Sequence, residues 1–91
     1  MKVLIIGSGG REHAITTCVA KSKRVSKIYA APGNAGIAEL AECVDIPVMD
    51  FDKQVAFAKE KGIDFVIVGP DDPLVAGCVD AFEKEGIKVF G

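Results

Sequence analysis

Apolar runs and amphipathic stretches alternate along the whole chain, and the alternation predicts strands separated by helices. Val3 to Ile6 is a continuous apolar run, so Lys2 to Ile6 is expected to be a central strand covered on both faces. After Gly7-Ser8-Gly9-Gly10, helical spacing of Ala14, Ile15, Cys18 and Val19 predicts a helix from about Arg11 to Ser22 with those four residues inward. Lys27 to Ala30 reads as a second strand, followed by the loop Ala31-Pro32-Gly33-Asn34-Ala35-Gly36, and a short third strand is expected around Cys43 to Ile46. Asp50 is a natural N-cap for a helix that turns Phe51, Val55 and Ala58 inward and closes at Gly62. Asp64 to Val68 is a fourth strand. Asp72-Pro73 then reads as N-cap and first-turn proline of a helix with Leu74, Cys78, Val79 and Phe82 inward, closed at Gly86, before a last strand, Ile87 to Phe90.

This alternation defines an α/β fold, a Rossmann-like open parallel sheet of about five strands with helices on both faces. Right-handed crossovers place the strands in the order 3-2-1-4-5, so the first and fourth are neighbours at the point where the chain reverses its direction of winding. Residues 1–91 form one domain by length. The stop directly after a buried strand leads us to expect a fragment whose continuation has been removed.

Composition narrows the class without naming a function. Hydrophobic residues are 49% and charged residues 26%, the balance of a soluble globular domain. No apolar run approaches the length of a membrane span, and the amino terminus is too short in apolar residues for a secretory signal, so a cytoplasmic location is the default and no membrane partner is expected. The net charge of −2 provides no field for nucleic acid. The one basic cluster, Lys21, Lys23, Arg24 and Lys27, falls where the first helix should end and reads as a solvated helix C-terminus. Cys18, Cys43 and Cys78 are widely spaced, without a CxxC pair; they read as reduced, buried, small hydrophobes, and no metal site is expected.

The candidate chemistry lies in three loops that should open on one crevice outside the carboxyl ends of the strands. The first, Gly7 to Arg11, offers backbone N–H groups at a helix N-terminus, suited to a phosphate or carboxylate, with Arg11 able to chelate phosphate. The second offers the amide of Asn34. The third, Gly69-Pro70-Asp71-Asp72-Pro73, carries two carboxylates, of which Asp72 reads as the helix cap and Asp71 as a functional group. Such a set suits a ligand with a phosphate at one end and hydroxyls or an amine at the other, because carboxylates accept from hydroxyls and repel phosphate. A dinucleotide is disfavoured: G-x-G-x-x-G requires glycine at position 12, where Glu12 stands, and Ala30-Ala31 end the second strand where an acid for the ribose belongs. Glu12 itself reads either as a first-turn acid on the helix dipole or as a ligand contact. His13 is the only histidine and has no nucleophile at motif spacing, so it is expected to hold a loop at the helix start.

Gly7-Ser8-Gly9-Gly10-Arg11-Glu12-His13-Ala14, Ala31-Pro32-Gly33-Asn34-Ala35-Gly36 and Val68-Gly69-Pro70-Asp71-Asp72-Pro73-Leu74-Val75-Ala76-Gly77 together resemble, in order and spacing, the amino-terminal domain of the phosphoribosylamine-glycine ligase (glycinamide ribonucleotide synthetase) family. The resemblance spans the chain to Val89-Phe90-Gly91. It implies a pre-ATP-grasp domain of an ATP-dependent ligase of purine biosynthesis. That enzyme joins glycine, activated as an acyl phosphate, to 5-phosphoribosylamine and yields glycinamide ribonucleotide, ADP and phosphate. By that resemblance Ser8, Gly9, Gly10 and Arg11 with Pro32, Gly33 and Asn34 would hold the phosphoribosyl group, and Gly69, Pro70 and Asp71 would lie near its ribose or amine. Catalytic residues, ATP and magnesium or manganese would belong to ATP-grasp domains outside this chain, which would be its partners, and the fragment alone would be inactive. The family usually has Gly-Pro-Glu where this chain has Gly69-Pro70-Asp71; the shorter carboxylate keeps the charge and loses reach, so a direct contact would become water-mediated unless Asp72 compensates.

Two other readings are compatible with the residues. One is the pre-ATP-grasp domain of another carboxylate-amine ligase. The other is a non-catalytic module, either nucleotide-binding or of response-regulator type; the latter would need an acidic pair after the first strand, where glycines stand, and a phosphoacceptor after the third, where Asp50 is the only candidate.

Overall fold

A computed structural model describes residues 1–7, 9–47, 50–68 and 75–90. Five strands form one parallel sheet in the order β3-β2-β1-β4-β5, with β1 at Lys2–Gly7, β2 at Lys27–Pro32, β3 at Glu42–Cys43, β4 at Phe65–Val68 and β5 at Val89–Phe90. The helices are α1 (Gly10–Ala20), α2 (Phe51–Lys61) and α3 (Val75–Lys84), with a 3₁₀ turn at Ile37–Glu39. The sheet order and the fold class are those the sequence predicts.

β1 is central because it is apolar on both faces. Val3, Leu4, Ile5 and Ile6 are all buried, each worth about 1.5–3 kcal/mol relative to exposure. Successive side chains point to opposite faces. Leu4 and Ile6 join Val66, Val68, Val55, Ala58, Cys78 and Phe82 under α2 and α3. Val3 and Ile5 join Ile28 under Ile15 and Val19 of α1. Helices therefore cover both faces.

The expected caps are observed around α2. Asp50 Oδ1 accepts from the Lys53 N–H at 3.2 Å, and Gly62 closes the helix in the left-handed region at φ 65°. Gly86, at φ 74°, closes α3, where the Ile87 N–H donates to Phe82 O at 3.0 Å. The Asp72 cap, Pro73 and Leu74 lie outside the described residues. Val79 is half-buried rather than buried.

Four expectations are corrected. On α1, Ala14 and Cys18 are exposed, Ile15 and Val19 are half-buried, and the fully buried residue is Thr16. Its hydroxyl donates to Glu12 O at 2.7 Å, which satisfies the polar atom so that the residue can be buried; the small residues Ala14 and Cys18 gave the apparent stripe a false centre. Of the cysteines only Cys78 is buried, while Cys18 and Cys43 are exposed. β3 does not reach Ile46: Val44 N–H still donates to Ala30 O at 2.7 Å, but Ile46 N–H turns back to Val44 O at 2.8 Å and bends the chain off the sheet. β2 runs two residues further than expected, to Pro32, because the ladder with β1 continues to the pair Gly7 and Pro32; β4 and β5 conversely begin later than expected, at Phe65 and Val89.

Lys21, Lys23, Arg24 and Lys27 are exposed, but α1 ends at Ala20 with no basic residue in its last turn, so only Lys21, its C-cap, stands at the helix end. Lys27 belongs to β2 and pairs with Glu42 at the start of β3, at 3.4 Å. No helix among the described residues is long and apolar enough to cross a membrane.

Candidate functional site

Parallel register brings the carboxyl ends of the central strands together. Gly7 of β1 lies opposite Pro32 of β2, and its neighbour Ile6 lies opposite Val68 of β4. The first two of the three predicted loops therefore leave the sheet side by side. The third, with Gly69, Pro70 and Asp71, lies outside the described residues, as does Ser8; its last strand residue, Val68, enters the same edge.

The first two loops are joined by backbone. Gly33 N–H donates to Gly7 O at 3.0 Å. Both glycines have positive φ, 136° at Gly7 and 74° at Gly33, and the Ala31–Pro32 peptide at the end of β2 is cis. A side chain at Gly33 would also collide with Cys43, whose Sγ packs where a Cβ would stand and donates to Asn34 O at 3.6 Å. Cys43 thus supports the second loop from β3, a role that its isolated position in the sequence did not signal.

Asn34 does two jobs inside this loop. Its Oδ1 accepts from the Ile37 N–H at 2.9 Å, and its backbone carbonyl accepts from Ala38 N–H at 2.9 Å; together these start the 3₁₀ turn. The side-chain oxygen is committed to shaping the loop. Its side chain is half-buried.

The first turn of α1 clasps both loops. His13 packs on Gly36, where an added Cβ would sit 3.2 Å from Cε1 and 3.3 Å from Nδ1. The sequence points to His13 as a hydrogen-bonding partner of a loop; what the structure places there is this packing contact against Gly36. Glu12 folds back over the glycine loop: a Cβ on Gly7 would overlap its Cγ and carboxylate, and one on Gly9 would lie 3.1 Å from Oε2. Gly9 is the N-cap residue, with extended backbone at φ −89° and ψ 180°. Arg11 is exposed one residue inside the helix.

Gly10 differs from every other described glycine. Gly7, Gly33, Gly62 and Gly86 have positive φ, and Gly9, Gly36 and Gly77 have a side chain within 3.1 Å, 3.2 Å and 3.0 Å of the Cβ they lack. Gly10 has neither constraint: its φ is ordinary and, beyond its own neighbours and helix backbone, no described atom lies within 4 Å of the missing Cβ. No contact within the described chain calls for glycine there. The arrangement is an open, exposed approach to the N–H groups of a helix start, flanked by Arg11 and braced from behind by Glu12 and His13.

Among the described residues no group of three or more His, Cys, Asp or Glu side chains is placed to hold a metal ion, and no step through ATP or magnesium is assigned to them. A groove of about 500 Å³ between α2 and α3 is lined by Val55, Lys59, Gly77 and Asp80.

Comparison with known proteins gives a consistent result. Residues 1–91 match the family described as phosphoribosylglycinamide synthetase, N domain. The chain is 58% identical, over its whole length, to the phosphoribosylamine–glycine ligase of Caldanaerobacter subterraneus subsp. tengcongensis, of which it covers 22%. It is 54% identical to that of Halalkalibacterium halodurans, covering 21%. The crystal structure of phosphoribosylamine–glycine ligase from Thermotoga maritima superposes with a TM-score of 0.62 at 27% identity, covering all of this chain and 19% of that one. The chain therefore spans about a fifth of the length of the curated relatives it matches.

Proposed function

The chain belongs to the family of phosphoribosylglycinamide synthetase N domains, and from that premise we propose that it is the substrate-binding amino-terminal part of a phosphoribosylamine–glycine ligase. The full enzyme would convert ATP, 5-phosphoribosylamine and glycine to glycinamide ribonucleotide, ADP and phosphate, in purine biosynthesis. This chain would bind the phosphoribosyl group. ATP and a divalent cation would be held by ATP-grasp domains beyond it, with which this domain would share the active site in the cytoplasm.

The observation that carries the reading is Gly10. Glycine in a helix is less favourable than alanine by up to about 1 kcal/mol, and at Gly10 neither backbone nor packing among the described residues calls for it. A ligand that must approach the helix N-terminus closely supplies the missing reason. Gly10 would offer its N–H to the phosphate of the phosphoribosyl group and Arg11 its guanidinium, Gly9 would face the sugar, and Pro32, Gly33 and Asn34 would form the opposite wall, held to the first loop by the Gly33 to Gly7 hydrogen bond. Ser8 and the Gly69, Pro70 and Asp71 loop would complete the site.

Titration of the isotopically labelled chain with ribose 5-phosphate tests this. The Gly9, Gly10 and Arg11 amide signals are expected to move at millimolar ligand, since a fifth of the relatives' length holds only part of the site. Signals that stay fixed while the chain remains folded refute the assignment.

A further inference from the structure

Glu12 stands where the dinucleotide fingerprint has its third glycine, and the structure places its side chain. Instead of extending into solvent it is half-buried and lies back across the loop, with its Cγ and carboxylate against Gly7 and its Oε2 beside Gly9. In the dinucleotide arrangement the third glycine lets the helix pack closely on the strand and the second lets the backbone approach the diphosphate; Glu12 takes the place of the third, and its Oε2 reaches the space beside Gly9, the second. Here that space holds a carboxylate. The helix backbone favours the charge, because an acid in the first turn is stabilised by the macrodipole, and the Thr16 hydroxyl on Glu12 O, at 2.7 Å, fastens the turn that bears it.

We propose that Glu12 is a specificity-determining residue: it holds a fixed negative charge over Gly7 and Gly9, bars phosphate and diphosphate groups from that half of the loop, and leaves it to hydroxyl or amine donors. On the other half, no described atom beyond Gly10's own neighbours and helix backbone lies within 4 Å of the missing Gly10 Cβ, and Arg11 follows it. A sugar phosphate is thereby oriented, its phosphate directed to the Gly10 and Arg11 side and its hydroxyls or amine to the Glu12 side. The orientation rests on the phosphoribosyl reading given above. The exclusion of diphosphates does not.

The two can be separated with two probes on the 91-residue chain, using Glu12→Gln, which keeps the packing over Gly7 and removes the charge, and Glu12→Gly, which completes the fingerprint. Inorganic pyrophosphate should leave the Gly7 and Gly9 amide signals of the unaltered chain in place. It should move both in either variant, with an apparent affinity higher by on the order of tenfold or more, because like charges in contact are strongly disfavoured. Equal responses in the unaltered chain and in Glu12→Gln, or none in any of the three, overturn the proposal. Glu12→Gln is close to isosteric, so an intact amide spectrum is expected of it even where Glu12→Gly loosens the helix start. Ribose 5-phosphate is the second probe: if it moves no loop signal in any chain while pyrophosphate behaves as stated, the phosphoribosyl reading fails and the exclusion by Glu12 stands.

Discussion

Gly10→Ala separates a glycine kept for the fold from one kept for a ligand. Gly10 is the first residue of α1 and is exposed, with ordinary φ and, beyond its own neighbours and helix backbone, no described atom within 4 Å of the added Cβ. Among the described residues the substitution therefore introduces no clash and no strain. Its effect on stability comes from the unfolded chain, which loses freedom when glycine becomes alanine, and amounts to a gain of about 0.4–1 kcal/mol. For a domain of this size that corresponds to a rise in melting temperature of roughly 2–8 °C. The same methyl group projects into the space from which a ligand must reach the helix N–H groups, so binding of ribose 5-phosphate is expected to weaken by on the order of tenfold, about 1.4 kcal/mol. Thermal unfolding by circular dichroism and a calorimetric or spectroscopic titration measure the two effects on one sample. Gly7→Ala is the control with the opposite sign of stability: at φ 136°, and with Glu12 packed where the Cβ would go, it is expected to lose about 1–3 kcal/mol or more. A stabilised Gly10→Ala chain that binds as tightly as the parent would refute the idea that a ligand explains this glycine. A destabilised one would refute the reading of its surroundings.

Three further outcomes are expected. Replacing Gln54 by leucine should cost about 1–3 kcal/mol in chemical unfolding, because Gln54 is fully buried, donates from Nε2 to Pro47 O at 2.9 Å and accepts from Cys78 Sγ at 3.3 Å; an unchanged midpoint would mean that those bonds contribute nothing. Asp50→Ala removes the side-chain cap on Lys53 N–H and should lower stability by about 1 kcal/mol, seen as a lower thermal midpoint with no effect on ribose 5-phosphate binding. A thiol reagent should label Cys18 and Cys43 in the folded chain and reach Cys78 only on unfolding, since the first two are exposed and the third is buried; rapid labelling of all three would contradict the packing of Cys78 under the sheet.

The strands and their order were legible because burial on both faces leaves a mark that needs no context: four consecutive aliphatic residues in β1 can be satisfied only in the middle of a covered sheet. Caps were legible for a similar reason, since Asp50 and Gly62 each answer a local demand of the helix end. The face of α1 was legible in half: Ile15 and Val19 pack on the core as expected, Ala14 and Cys18 do not. The most buried residue is Thr16, which is polar by composition yet self-satisfied through its bond to Glu12 O, and a pattern of apolar positions has no means of registering such a residue. Gln54 escaped notice for the same reason: its partners are Pro47 O and Cys78, 7 and 24 residues away along the chain.

The site divides along the same line. That glycines, Arg11 and a helix start converge at one strand end follows from local order, but which glycine serves the fold and which a ligand depends on atoms brought from elsewhere. Gly33 is dictated by Cys43 and by its own φ, Gly36 packs against His13, and Gly7 and Gly9 lie under Glu12. Subtracting these leaves Gly10. The same subtraction bears on Glu12, which composition alone left as either a dipole partner or a ligand contact. A carboxylate that merely served the helix dipole could point to solvent from the third position of α1; one that lies across Gly7 and Gly9 closes that half of the loop to phosphate and makes Gly10 the open side. Two residues apart in sequence, Gly10 and Glu12 therefore have opposite tests: adding a methyl at the first should block a sugar phosphate, and removing the charge at the second should admit a diphosphate.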